Sequence, residues 1–409
     1  MKMKFVIMML LVVLLSVGFA QAQEPVTIRF ASFQSGAVVE KWAEQFAEFE
    51  AETGIHVEHE YVPSGESVQQ YMTMAAGNQL PDVVMASAIW HRALAARGLF
   101  APLTQEEFPN LDFADLWPTL LANYTYDGQI YGLPTDMDIQ LVFYNKALFD
   151  AAGVDYPEPD WTWDDFADTA EQLSSGDGAG RIYGSANISP LLLSQMAWAY
   201  GGDVFDPETN VATLDTDGGR TAMELYNRLL VTDRSMPIAD MEGVGMDTGR
   251  AAMGIYGPWA AWYIFRESDI DWDVVPSPRG TEDAILAWGS SLAIFNTSEH
   301  KEEAARLIEF MLSPENQYQR AADFAWFPPG QPATEMAGFM DEAVLGLNAD
   351  QKQYILDSIP FGRAPFIHAN QAELDAAMSQ EISLLAAGSE DVEQAIANVT
   401  QRWNEILAQ

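Results

Sequence analysis

Two neighbouring aspartates and several tryptophans are the side chains of this sequence that could carry chemistry. Asp136 and Asp138 stand two residues apart, and Trp259 and Trp288 stand beside proline or glycine at expected turns. An indole offers a flat apolar surface to the C–H face of a sugar ring, and carboxylates accept hydrogen bonds from sugar hydroxyls. The chain has 12 tryptophans, many of them in expected loops, and this composition favours a carbohydrate cleft.

The aspartate pair also has an enzymatic interpretation, as the two carboxylates of a glycosidase. We expect Asp136 and Asp138 to point to opposite faces of a strand, which is a poor geometry for flanking one glycosidic bond. Among 60 acidic residues, close pairs also arise by chance. An exported carbohydrate-active enzyme remains the alternative from another functional class, and product analysis after incubation with sugars would distinguish it.

Neither a metal nor a cofactor is expected. His56 and His59 would lie on opposite faces of a strand, which disfavours a shared metal ion. The chain has no cysteine, so disulfides and cysteine-ligated metal sites are excluded. The glycines at 176, 178 and 180 lack the preceding strand and following helix of a dinucleotide-binding loop.

Alternating strands and helices must position these side chains. Patterns of β-branched and apolar residues predict strands at 26–31, 55–61 and 81–85. Apolar residues at helical spacing predict helices between them, the first ending at Gly54 and the second at Gly77. This alternation indicates an α/β lobe with a largely parallel sheet.

A sharply capped helix is predicted after Thr162. Thr162 and Asp165 stand three residues apart, as in a capping box, and Trp161 and Phe166 stand where a hydrophobic staple forms. Trp161 and Trp163 are therefore expected to be structural. Later helices are predicted at 299–312, after Ser313, at 372–385 and at 392–407.

The first 22 residues have the organisation of a secretory signal peptide. Lys2 and Lys4 precede an apolar run from Phe5 to Leu15, and Ala20-Gln21-Ala22 fits a small-x-small cleavage site. The run is short for a membrane span of about 20 residues. We expect cleavage after Ala22 and a soluble periplasmic protein without direct membrane insertion.

The sequence is strongly acidic. Its formal net charge is −40, which becomes −42 once Lys2 and Lys4 leave with the signal peptide. Such a charge repels nucleic acid and anionic lipid, so neither is an expected partner. The acidic residues are spread along the whole chain, which favours the hydrated surface of a protein from a halophilic or salt-tolerant host over a cationic ligand.

One dense motif carries a family resemblance. It runs from Asp127 to Phe166 and reads DGQIYGLPTDMDIQLVFYNKALFDAAGVDYPEPDWTWDDF. Further landmarks follow in order and spacing over about Val26 to Leu407: Gly77-Asn78, Pro81 to Val84, Gly257-Pro258-Trp259, Pro276 with Pro278, Gly289 to Ile294, and Ser313-Pro314-Glu315. The chain resembles the extracellular solute-binding proteins of bacterial ABC importers, the large sugar-binding family that includes maltose-binding protein.

The resemblance implies an α/β, two-lobed periplasmic binding protein fold of type II, with discontinuous lobes joined by a multi-segment hinge. Crossings are expected near Asp138, Leu292 and Pro328. The first lobe would comprise residues 23–138 and 293–328, and the second residues 139–292 and 329–409. Hinge closure around a ligand in the cleft is the expected motion.

The resemblance also implies ligand-binding residues. Trp259 matches a tryptophan that stacks on a sugar ring, and Asp138 falls where an acidic residue often contacts ligand hydroxyls. The complete expected set is Phe33, Gln34, Ser87, Trp90, Asp136, Asp138, Trp259, Trp288, Gly289, Trp326 and Arg363. Ala86 and Ile89 replace groups that maltose-binding relatives carry, which disfavours maltose itself.

The function implied is capture of a carbohydrate, most simply an oligosaccharide, and its delivery to the transmembrane subunits of an ABC importer. The protein is expected to be a monomer. Another polar solute, such as a polyol or glycerol phosphate, remains the alternative within this class. Only four lysines remain after signal removal, and this scarcity argues mildly against a phosphate ligand, which basic side chains would have to bind.

Overall fold

The computed structural model describes residues 26–206, 209–238, 241, 243–266, 268–365 and 367–408. The predicted signal peptide, residues 1–22, lies outside these ranges. The strands are β1 (Thr27–Ser32), β2 (His56–Tyr61), β3 (Val83–Ser87), β4 (Thr125–Tyr126), β5 (Gln129–Ile130), β6 (Leu133–Pro134), β7 (Asp138–Ile139), β8 (Leu141–Asn145), β9 (Tyr183–Ser185), β10 (Phe205–Asp206), β11 (Val211–Ala212), β12 (Ala251–Tyr256), β13 (Trp272–Pro276), β14 (Ile285–Trp288), β15 (Ser290–Ile294) and β16 (Gly362–Arg363).

The α-helices connect these strands and close the chain. They are α1 (Ala37–Thr53), α2 (Ser67–Ala76), α3 (Ala88–Ala95), α4 (Pro118–Asn123), α5 (Lys146–Ala152), α6 (Trp163–Leu173), α7 (Leu193–Ala199), α8 (Asp217–Asn227), α9 (Ala260–Tyr263), α10 (Lys301–Met311), α11 (Pro314–Phe324), α12 (Gln331–Thr334), α13 (Ala349–Ser358), α14 (Gln371–Ala386) and α15 (Val392–Leu407). In the described part of the chain, no helix combines the length and apolar character needed to cross a membrane.

The first lobe is built on a five-stranded sheet in the order β2-β1-β3-β15-β6. β1 runs parallel to β2 and β3, as the alternation of elements predicted, whereas β15 returns antiparallel beside β3. Helix α1 buries Trp42 and Phe46 against this sheet, and the Trp42 ring lies edge-on to Phe30 at 5.3 Å. Gly54 ends α1 in the left-handed region at φ 75°, where glycine carries no steric penalty.

The second lobe is built on a four-stranded sheet in the order β13-β8-β12-β9. Helix α6 packs beside it, and its predicted start is confirmed. The Thr162 hydroxyl accepts a hydrogen bond from the Asp165 N–H at 3.1 Å, and the Asp165 carboxylate accepts one from the Thr162 N–H at 2.9 Å. Trp161 and Phe166 pack with ring centroids 5.5 Å apart, which is the predicted staple.

A small three-stranded sheet in the order β16-β14-β7 lies where the chain passes between the two larger sheets. β14 pairs with β7, and after Gly289 the chain continues as β15 in the first sheet. A Cβ on Gly289 would lie 2.2 Å from the Asp136 carbonyl oxygen, so only glycine permits this close approach of the two segments. The predicted lobe boundaries at 138, 292 and 328 remain a prediction.

Candidate functional site

A cavity of about 390 Å³ lies between the carboxyl ends of the first sheet, the three-stranded sheet and α9. We call it the aromatic cavity. Nine of the eleven residues predicted to contact ligand line it: Phe33, Gln34, Ser87, Asp136, Asp138, Trp259, Trp288, Gly289 and Trp326. These nine side chains could therefore contact one ligand at the same time, and their contact with ligand stays a prediction.

Trp90 and Arg363 do not line the aromatic cavity. Trp90 is buried on α3, its ring centroid lies 5.8 Å from that of Tyr71, and its indole N–H donates to the Ser64 hydroxyl at 3.3 Å. Arg363 pairs with Glu282 at 3.2 Å. Consecutive side chains on a helix point about 100° apart. Ile89, the residue before Trp90, therefore faces the aromatic cavity while Trp90 does not.

Four lining residues were missed by the sequence analysis: Met85, Ile89, Tyr263 and Ser290. Two of them had a detectable signal. Tyr263 stands four residues after Trp259, so both lie on one helical face. Met85 stands two residues before Ser87 on β3, so both lie on one face of the strand.

Asp138 is held by neutral donors. Its carboxylate accepts hydrogen bonds from the Trp288 indole N–H at 2.5 Å and from the Gln140 amide at 2.8 Å, and the Trp259 side chain also donates to it. Burial raises the pKa of Asp138 to about 7, and these donors offset part of that effect. The protonated and ionised forms of the Asp138 carboxyl group are therefore both populated near neutral pH.

Gly257 allows the Gly257-Pro258-Trp259 turn to approach Asp138 closely. A Cβ at position 257 would lie 1.7 Å from the Asp138 Oδ1 atom, a distance that two non-bonded atoms cannot reach, so only glycine fits here. The turn is followed directly by α9, which holds Trp259 and Tyr263 at the cavity wall. The local backbone thus brings an indole, a phenol and a carboxylate to one side of the cavity.

Asp136 also lines the cavity, so the expectation that Asp136 and Asp138 face apart is wrong. Residues two apart in an extended segment lie on the same face, and both carboxylates enter the same space. Asp136 accepts hydrogen bonds from the Thr135 hydroxyl at 2.5 Å and from the Ser290 N–H at 3.1 Å. Burial raises the pKa of Asp136, while these donors and the nearby charge of Arg320 lower it.

Contacts near α9 join residues of the two predicted lobes across the cleft. The Tyr263 hydroxyl on α9 donates a hydrogen bond to the side-chain oxygen of Gln34 at 3.0 Å. Gln34 lies just after β1. Beside Tyr263, Trp262 packs edge-on against Phe324 with ring centroids 5.4 Å apart. The two sides of the cleft therefore touch at the α9 end.

A second cavity of about 490 Å³ adjoins the first at Ile89. Ile89 lines both cavities. The second cavity lies between α3, which contributes Trp90, and residues 369–375 at the start of α14. We call the two cavities together the groove, with Ile89 at their junction.

Within the described ranges, no cluster of three or more His, Asp or Glu residues could hold a metal ion. His59 hydrogen-bonds the Ser32 hydroxyl at 2.8 Å, and His56 pairs with Glu50 at 2.8 Å. The two histidines are engaged with different partners. The site therefore consists of carboxylates, amides, hydroxyls and aromatic rings.

The two-lobed fold and the lined cleft define a protein that holds a solute between its lobes. The chain belongs to the bacterial extracellular solute-binding protein family, which residues 31–318 match. Members of this family are binding proteins, so the chain is not an enzyme and the glycosidase alternative is removed.

Individual relatives agree with this assignment. A binding protein of Brucella abortus is 24% identical over 311 residues, which cover 73% of this chain and 74% of that protein. An arabinooligosaccharide-binding protein of Halalkalibacterium halodurans is 26% identical over 223 residues, covering 50% of this chain and 48% of that protein. A solved structure with a similar fold is that of an ABC substrate-binding protein from Listeria monocytogenes in complex with cycloalternan. The two structures superpose with a TM-score of 0.80 at 22% sequence identity, covering 94% of this chain and 99% of that one, which shows that they share a fold.

Proposed function

We propose that this protein captures an oligosaccharide in the aromatic cavity and delivers it to the transmembrane subunits of an ABC importer. The observation that carries the proposal is the composition of the cavity wall. Five aromatic side chains and two carboxylates face a space of about 390 Å³. Flat rings match the apolar faces of sugars and carboxylates match their hydroxyls, and the volume lies within the range of about 300–1,000 Å³ usual for ligand sites.

The second cavity supports a ligand of more than one sugar unit. It adds about 490 Å³ beyond Ile89 and offers polar groups just after α3 and at the start of α14, among them Arg97, Asn370 and Gln371. The names of two similar proteins point the same way, since one binds arabinooligosaccharide and the other was crystallised with cycloalternan. A glycerol phosphate ligand has less support, because no lysine, arginine or histidine is among the described residues that line the aromatic cavity.

The proposal extends to the cellular setting and to the lobes. Residues 1–22 act as a signal peptide that is cleaved after Ala22, and the mature protein works as a monomer in the periplasm. Residues 23–138 with 293–328 form one lobe, and residues 139–292 with 329–409 form the other. Ligand in the cleft contacts both lobes, so it binds the closed state better and shifts the population toward closure.

A thermal-shift screen against a carbohydrate panel at high salt tests the proposal. We expect oligosaccharides to raise the melting temperature, because a ligand that binds only the folded state stabilises it. Asp138→Ala should weaken binding about ten- to hundredfold, which corresponds to loss of a charge-assisted hydrogen bond of about 1.5–3 kcal/mol. Solution scattering should show a smaller radius of gyration with ligand.

Two results would contradict the proposal. One is a panel in which no saccharide stabilises the protein while another class of solute does. The other is an Asp138→Ala variant that binds the identified sugar as tightly as the wild-type protein does, which would make Asp138 structural.

The net charge predicts that stability rises with salt. We propose that the acidic surface reflects a salt-tolerant host, because 60 acidic side chains against 20 basic ones repel each other in dilute buffer. The screening length falls from about 30 Å at 0.01 M to about 3 Å at 1 M salt. The melting temperature of the ligand-free protein should therefore be higher in molar NaCl than in dilute buffer.

Sucrose is the matched control for this measurement, because it stabilises proteins by exclusion from their surface without screening charge. The salt effect should exceed that of sucrose at equal osmolality. A melting temperature that stays constant from dilute buffer to molar NaCl would remove the halophilic interpretation.

A further inference from the structure

The charged groups in the wall of the aromatic cavity all have the same sign. Asp136 and Asp138 both enter the cavity, and no lysine, arginine or histidine is among the described residues that line it. The basic side chain whose charge acts on Asp136 is Arg320, which is on α11. It is 2% exposed and lies behind the cavity wall. Its charge lowers the pKa of Asp136, and the ion pairs among the described residues include none with Asp138.

Asp138 therefore has hydrogen-bond donors and no counter-charge. The indole N–H of Trp288 and the Gln140 amide are neutral groups, and so is the Trp259 side chain. A carboxylate removed from water is costly unless an opposite charge compensates it. A carboxylate has about four acceptor sites, so three donors leave room for one from a ligand.

The aromatic walls favour the same kind of ligand group. The rings of Phe33, Trp259, Tyr263, Trp288 and Trp326 line the cavity. The face of an aromatic ring attracts a cation, and tryptophan does so most strongly. Aromatic side chains together with a carboxylate that lacks a counter-charge form a site that suits a positively charged group on a ring-shaped ligand.

We propose that the ligand carries a protonated amine, as in an amino sugar, and that its ammonium group pairs with Asp138 inside the aromatic cavity. This inference rests on the proposed function, because the sugar ring is what the aromatic walls and the groove accommodate. An ammonium group fits better than a metal ion, since a hard divalent cation needs six or more oxygen ligands and the described residues form no such cluster.

The first experiment compares saccharides that differ only in an amine. The panel contains β-1,4-linked glucose oligomers and β-1,4-linked glucosamine oligomers of two to four units, together with other hexoses and their amino-deoxy analogues. Calorimetric titration at pH 7.5 and fixed salt should give at least tenfold tighter binding for the amine member of every pair that binds. Equal or tighter binding of the neutral members would overturn the inference and leave the proposed function intact. If no saccharide binds at all, the proposed function fails, and the inference fails with it.

Two isosteric variants assign the charge to a residue. Asp138→Asn removes the charge and keeps an acceptor for the Trp288 N–H, so its cost in affinity should be at least tenfold larger for the amine series than for the neutral series. Asp136→Asn should cost the amine series less, because Arg320 already compensates Asp136. An equal loss for both series in Asp138→Asn would mean that Asp138 recognises hydroxyls, which contradicts the inference.

A pH titration of the wild-type protein tests the pairing without any substitution. Since burial raises the pKa of Asp138 to about 7, its carboxyl must lose a proton before it can pair with an ammonium group. Affinity for the amine series should therefore fall on both sides of neutral pH, by up to tenfold per pH unit, because Asp138 is protonated in acid and the amine is uncharged in base, while the neutral series changes little. The other titratable or charged groups facing this pair are Asp136, Arg320, Tyr124 and Tyr263. Identical pH profiles for the two series would overturn the inference.

Discussion

Trp163→Ala is expected to lower the free energy of unfolding by about 3–5 kcal/mol and to leave ligand affinity nearly unchanged. The Trp163 side chain is 0% exposed, belongs to the core between α6 and the second sheet, and does not line the aromatic cavity. Its ring packs edge-on against Phe166 at 5.6 Å. Truncation leaves a large void in a core that cannot fully collapse.

Trp259→Ala is the matched control, because it removes the same side chain from the cavity wall. We expect it to weaken ligand binding at least tenfold, since a stacked ring is worth about 0.5–1.5 kcal/mol beyond the apolar area that it buries. Asp138 also loses one of its donors. The loss of folding free energy should be smaller than for Trp163→Ala, because Trp259 is only partly buried.

Urea denaturation and calorimetric titration of both variants separate the two roles. The expected pattern is loss of stability in Trp163→Ala and loss of affinity in Trp259→Ala. If Trp163→Ala lost affinity and Trp259→Ala lost stability, the assignment of structural and functional tryptophans would be reversed.

Features set by neighbours in sequence could be predicted well. The capping box at Thr162 and Asp165, and the helix end at Gly54, depend on residues within one turn, so their side-chain chemistry alone indicates them. The parallel start of the first sheet followed from the alternation of strands and helices. These elements recur in the structure within one or two residues of their predicted bounds.

Side-chain direction was harder to predict, because it depends on where each element begins. Ser87 caps α3, which fixes the helical phase so that Ile89 faces the cavity and Trp90 faces Tyr71. A pattern of residue types at 87–90 does not contain that phase. Tryptophan was the stronger candidate for the aromatic cavity by chemistry, but the helical phase places Ile89 there and Trp90 in the second cavity.

Long-range contacts were invisible in the sequence. Arg320 affects Asp136 only because α11 folds behind the cavity wall, and the two residues are 184 positions apart. The bond between Tyr263 and Gln34 likewise joins segments 229 residues apart. The family resemblance located most of the lining residues, and only the three-dimensional arrangement shows that their charges are unbalanced.

Asp138→Asn is expected to stabilise the ligand-free protein at pH 8 while it weakens binding. The pKa of Asp138 rises from its ordinary value of 3.8 to about 7 on folding, mainly because the carboxyl is buried. Between these two values the folded state binds more protons than the unfolded state, so the contribution of Asp138 to stability falls as pH rises from about 4 to about 7. Above pH 7 the folded protein holds an ionised carboxylate without a counter-charge.

Asparagine removes this penalty and keeps an oxygen that accepts the Trp288 N–H. A shift of about three pKa units sets an upper limit of about 4 kcal/mol, and solvent in the open cavity reduces this to about 1–2 kcal/mol. Urea denaturation at pH 8 should therefore favour the variant, and the difference should shrink toward pH 5, where the wild-type carboxyl is protonated when folded. Equal destabilisation of Asp138→Asn at both pH values would show that the hydrogen-bond geometry at Asp138, and not its charge, governs stability. A carboxylate without a counter-charge lowers the stability of the ligand-free protein above pH 7, so under the proposed pairing a ligand of opposite charge gains affinity by neutralising it.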